Sequence, residues 1–74
     1  MARPRKVFDT RLNVGFPERL YRELDELATR RGKLVAAVVR EAVSFEIWLQ
    51  KELDAGSRLI IEREGHPSRE VILR

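Results

Sequence analysis

The stretch from Leu34 to Asp54 constrains this chain most, because as a helix it is apolar on too many sides. Val35, Val38, Val39, Ala42, Phe45, Leu49 and Leu53 make one wide face. Val43, Ile47 and Trp48 carry apolar character around the cylinder. A helix of that kind is buried on more than one side. The chain has 74 residues and one other helical pattern, so its own mass cannot supply the cover. Val35, Val38, Val39 and Val43 are β-branched and lower helix propensity, so packing has to compensate. A disulfide or a thiolate zinc site is the usual reinforcement of so small a core, but there is no cysteine. The only histidine is His66, so a histidine metal site is not expected either. The expected reinforcement is a second copy of the chain.

The segment before that helix carries a different period. Leu12, Val14 and Phe16 alternate with Arg11, Asn13 and Gly15, which reads as a half-buried strand. Pro17 has no N–H to donate and ends the ladder. It also suits a first helical position, with Glu18 near the positive helix end. Leu20, Leu24, Leu27 and Ala28 follow at helical spacing and predict a helix to about Arg30. Arg30 and Arg31 fit its last turn, and Gly32 supplies a left-handed stop. The lone strand has no partner in its own half of the chain. Two copies pairing antiparallel would bury Leu12, Val14 and Phe16 and expose Arg11, Asn13 and Gly15. Such a ribbon fits the major groove of B-form DNA.

Charge points the same way. Arg3, Arg5, Lys6 and Arg11 stand against only Asp9, so the formal excess of +3 sits in the first eleven residues. The rest of the chain is balanced. A concentrated basic arm suits a polyanion, though a solubilising tail has the same composition. Residues 1–9, with Pro4 and little to bury, read as a flexible arm. The arm lacks the apolar stretch of a signal peptide, and no apolar run reaches the length of a membrane span. A cytoplasmic protein without a membrane partner is therefore expected, in keeping with the absence of cysteine.

These residues resemble the ribbon-helix-helix family of DNA-binding proteins. The resemblance covers about residues 8–53 and rests on four pieces. They are Arg11-Leu12-Asn13-Val14-Gly15-Phe16-Pro17-Glu18, Leu20-Tyr21-Arg22-Glu23-Leu24-Asp25-Glu26-Leu27-Ala28, Gly32, and Val39-Arg40-Glu41-Ala42. It implies a mainly α fold with short β: an intertwined, obligate homodimer whose ribbon reads bases. It implies a transcriptional regulator, a repressor or the autorepressing antitoxin of a toxin–antitoxin pair. On that pattern Arg11 and Asn13 touch base edges. Arg3, Arg5, Lys6, Gly15, Lys33, Leu34 and Val35 contact the DNA backbone, the last three at the start of the second helix. Leu12, Val14, Phe16, Leu24, Val38, Ala42, Phe45 and Trp48 form the dimer core. Two departures stand out. Gly32-Lys33-Leu34-Val35-Ala36 has no hydroxyl to cap the second helix, where the family often has Ser or Thr. Gly15 puts no side chain at the third outward ribbon position.

Asp54-Ala55-Gly56-Ser57 breaks the second helix. Leu59, Ile60 and Ile61, the turn chemistry of Glu64-Gly65-His66-Pro67-Ser68, and Val71, Ile72 and Leu73 predict a β-hairpin over 58–73. The expected organisation is thus an arm (1–9), a DNA-binding domain (10–55) and a hairpin extension (56–74). An isolated hairpin is marginal in water, so this one should pack on the dimer, join a higher oligomer or hold a protein partner.

No enzyme is expected, and no cofactor. Catalysis needs a nucleophile with a base, or a paired acid and base, held in a pocket. Ser44 falls within the buried helix pattern, Ser57 and Ser68 in turns, and Glu23, Asp25 and Glu26 on a solvated helix face. Trp48 reads as packing and His66 as a turn residue. The alternative from another class is a dimeric protein-interaction module that does not touch DNA.

Overall fold

The computed structural model describes residues 10–73. Two helices are followed by a two-stranded antiparallel sheet: α1 (Glu18–Arg31), α2 (Val35–Asp54), β1 (Leu59–Ile61) and β2 (Arg69–Val71). The fold is mainly helical with short β. The arm residues Arg3, Arg5 and Lys6 lie outside the described residues.

Each boundary has a local cause. Pro17 precedes α1, its carbonyl accepts from the Tyr21 amide at 3.0 Å, and Glu18 occupies the first turn. Gly32 stops the helix at φ 65° and ψ 35°. Its amide donates to the Thr29 carbonyl at 3.1 Å, and the Lys33 amide donates to Ala28 at 3.0 Å. This pair of bonds, closed over a left-handed residue, satisfies carbonyls that a helix end otherwise leaves free. α2 stops in the same way, with the Gly56 amide on Leu53 and the Ser57 amide on Glu52. There the Ser57 hydroxyl also donates to Glu52 Oε1 at 3.0 Å.

Residues 10–17 form neither helix nor strand. A strand is defined by a ladder, and no other described segment of the chain offers one to Arg11–Phe16. The hairpin lies where the sequence predicts it, but its second strand is displaced. The predicted run is Val71–Leu73; the paired run is Arg69–Val71, with Leu59 opposite Val71, Ile60 opposite Glu70 and Ile61 opposite Arg69. Residues 62–68 connect the two strands, with the His66 amide on the Arg63 carbonyl at 3.0 Å in the turn, and Ile72 and Leu73 fall beyond the ladder.

The buried core is small. Among the described residues it consists of Ala28, Val38 and Leu49. Val38 and Leu49 lie on one face of α2, about three turns apart. Phe45 lies on that face between them, yet 54% of it is exposed. Leu20, Val43, Ile47 and Trp48 are exposed as well. The Cα radius of gyration is 16.9 Å, where a compact chain of this length would have about 11 Å. The helices meet at one end and leave most of the apolar surface of α2 uncovered.

Candidate nucleic-acid interface

Arg11 and Asn13 are exposed, and so are Leu12, Val14 and Phe16 between and beyond them. Leu12 is 86% exposed, the most of any large apolar side chain described. Polar and apolar side chains thus alternate along this segment, and cover of the apolar set grows only toward α1, from Leu12 to Phe16, which is 39% exposed. Gly15 has open space where a side chain would start, so no neighbour requires glycine there.

The other expected phosphate contacts sit at the corner between the helices. Leu34 precedes α2 with extended backbone (φ −71°, ψ 148°), and no side chain caps the helix, in line with the missing hydroxyl. The Leu34 carbonyl accepts from the amides of Ala37 and Val38 at 3.0 and 3.2 Å. The amides of Val35 and Ala36, as at any helix start, have no carbonyl one turn earlier to bond. They lie at the positive end of a 20-residue helix dipole, beside a Leu34 side chain that is 78% exposed.

Lys33 is not free at this corner. Its ammonium donates to Glu41 Oε2, and Arg31 Nη1 lies 3.9 Å from Glu41 Oε1. One carboxylate therefore faces two cations, joining the last turn of α1 and the connecting turn to the second turn of α2. The hydrogen bond from Lys33 holds the Glu41 carboxyl below its ordinary value. The charges of Lys33 and Arg31 add to this, against desolvation that pulls the other way. The site carries a net single positive charge, not the two that Arg31 and Lys33 suggest alone. Glu41 is a residue that sequence reasoning misses. Lys33 precedes α2, and its eight-residue separation from Glu41 exceeds the three or four residues at which side chains pair along a helix, so the turn after Gly32 is what brings the two together.

The expected dimer-core residues separate into two groups. Val38 is buried within the chain and Leu24 half-buried. Leu12, Val14, Phe16, Ala42, Phe45 and Trp48 are exposed. Phe45 and Trp48 contact each other, with ring centroids 5.7 Å apart and planes tilted by 35°. Together they make one aromatic patch on α2, each ring a little over half exposed.

Elsewhere, a shallow depression of about 170 Å³ on the hairpin is lined by Ile61, Arg63, His66, Pro67 and Arg69. It shares no residue with the corner or with the 11–16 segment. Among the described residues no group of His, Asp and Glu is arranged to hold a metal ion. No described helix is long and apolar enough to cross a membrane. Comparison with known proteins gives no match to a family model, a curated protein or a solved structure.

Proposed function

We propose that this chain is a sequence-specific double-stranded-DNA-binding protein that acts as an intertwined homodimer of the ribbon-helix-helix kind, and that it works as a transcriptional repressor. The observation that carries the reading is the segment Arg11–Phe16, unpaired within the chain and joined directly to two helices that leave Leu20, Val43, Phe45, Ile47 and Trp48 exposed. Its exposed apolar residues Leu12, Val14 and Phe16 have one parity, and Arg11 and Asn13 the other. Pairing with the same segment of a second chain satisfies both parities at once. The apolar set goes down onto the Phe45–Trp48 surface, and the polar set goes up.

The mechanism follows from side-chain chemistry. Arg11 presents a forked donor suited to guanine O6 and N7, and Asn13 a donor–acceptor pair suited to adenine N6 and N7. The two are two residues apart and share one face of a strand. The amides at the start of α2 hold a phosphate and fix the ribbon's depth, assisted by the residual positive charge of Arg31, Lys33 and Glu41. Gly15 lets the ribbon backbone approach the duplex closely. Arg3, Arg5 and Lys6 add contacts that do not depend on sequence.

A salt titration of duplex binding by the full chain tests the reading. Affinity for DNA should fall by about 10³-fold or more between about 50 and 200 mM salt if six or more phosphates are contacted across the dimer. Absence of binding at the lower salt would exclude DNA as the partner and leave the protein-interaction module.

A further inference from the structure

The hairpin is a sheet of two strands, so each strand has one edge with unpaired amides and carbonyls. β1 is also apolar: Ile60 and Ile61 are exposed, and Leu59 is half-buried opposite Val71. An open apolar edge pairs readily with another strand, and charge along the edge decides which one.

A two-fold axis perpendicular to a sheet places one residue opposite its own copy, so few registers are possible for each edge. Centred on Leu59, β1 sets Arg58 against Ile60 of the second chain. Centred on Ile61, it sets Leu59 against Arg63 and Ile60 against Glu62. Centred on Ile60, every pair matches: Ile60 meets Ile60, Leu59 meets Ile61, and Arg58 meets Glu62 on both sides of the axis. β2 has no such register. Centring on Arg69 or Glu70 opposes like charges, and centring on Val71 opposes Glu70 to Ile72 and Arg69 to Leu73. Opposite charges placed across a strand pair attract and like charges repel, so these differences select one edge and one register.

We infer that β1 of this chain pairs antiparallel with β1 of a second copy about a two-fold axis at Ile60, forming a four-stranded sheet in the order β2-β1-β1-β2. On one face, Leu59 and Ile61 of both chains make a continuous apolar strip with Val71. On the other, Arg58, which already lies 3.6 Å from Glu70 of its own chain, gains Glu62 of the second chain. The pairing removes the open edge of β1 and gives the hairpin the third and fourth strands that independent stability requires. It does not depend on DNA binding or on the 11–16 ribbon.

The chain has no cysteine, so a single introduced thiol reports the contact cleanly. In the full chain, Ile60→Cys places two thiols on the axis, at a separation within disulfide reach. Ser68→Cys places them at the far end of the outer strands. Under mild oxidation, non-reducing electrophoresis should show the Ile60→Cys chain linked in pairs and the Ser68→Cys chain single. Adding Glu62→Lys should slow the Ile60→Cys linkage several-fold, and adding Arg58→Glu to that variant should restore it. Circular dichroism on each variant checks that α1 and α2 are intact. Linkage through Ile60→Cys no faster than through Ser68→Cys, or linkage indifferent to both charge changes, overturns the proposal. Loss of DNA binding with linkage retained would count against the function proposed above and leave this contact standing.

Discussion

The Glu41 carboxylate accepts the Lys33 ammonium and faces the Arg31 guanidinium, so a single acidic side chain ties the end of α1 to the second turn of α2. It therefore acts on both stability and charge at the corner proposed to hold a phosphate. In the folded chain Glu41 stays ionised to lower pH than in the unfolded chain. Its contribution to stability is present at neutral pH, above the unfolded value. It is lost as pH falls through the lowered folded value, because the unfolded state takes up the proton first. Glu41→Gln should flatten this part of the acid limb of a pH–stability profile. All three side chains are about half exposed to solvent, which screens the pairs, so the effect on stability at pH 7 should be slight. The same substitution frees two cations, so non-specific DNA affinity should rise and its salt dependence steepen. An unchanged salt slope would mean that Lys33 and Arg31 do not approach phosphate.

Trp48 is 55% exposed in the single chain. Were it a surface residue, Trp48→Ala would change stability by no more than about 0.5 kcal/mol. As part of a dimer core it should cost about 3–5 kcal/mol. Thermal unfolding of the wild type should depend on concentration, and sedimentation at micromolar concentration should give about twice the chain mass. A stably folded monomer there removes the intertwined architecture.

Gly32 has a different role, seen in its backbone alone. A Cβ there would meet nothing within 4 Å, but φ is +65°. Gly32→Ala should cost about 1–2 kcal/mol through the left-handed conformation itself. Gly32→Asn should cost less, since Asn tolerates that region better. Chemical denaturation of the two variants checks the order. Equal stability of all three would mean that the turn relaxes.

Removing residues 1–6 takes away Arg3, Arg5 and Lys6 and no apolar face. DNA binding should weaken on every sequence, and the salt slope should become shallower by about 0.9 for each phosphate that the arm neutralises. Helical content should not change. Unaltered affinity and slope would make the arm a bystander.

Both helices are readable in the sequence because period, proline and glycine signals agree at each end. Glu18–Arg31 and Val35–Asp54 lie within a residue or so of the expected limits. The hairpin is readable as an element but not in register. Val71-Ile72-Leu73 is the more apolar run, yet Arg69–Val71 is what pairs, because apolar character marks a strand without fixing which residue stands opposite which. The 11–16 segment has strand periodicity without a strand, because period two describes a residue's two faces and a ladder needs a second segment. Of the candidate site, Arg11, Asn13 and the uncapped start of α2 can be found from residue type and spacing. The Lys33–Glu41 pair cannot, since it depends on how the chain turns at Gly32.

Base reading by the ribbon is the central claim, and the variants Arg11→Ala and Asn13→Ala test it most directly. A preferred site is first selected by the full chain from a pool of random duplexes. Each variant, checked as a folded dimer, is then measured on that site and on random DNA at one fixed salt concentration. Asn13→Ala should lose about 1–3 kcal/mol of discrimination for each base it reads while keeping its affinity for random DNA. Arg11→Ala should lose discrimination and some salt-dependent affinity together. If both variants keep the wild-type ratio of specific to random binding, the residues that read the DNA lie elsewhere and the ribbon mechanism is wrong.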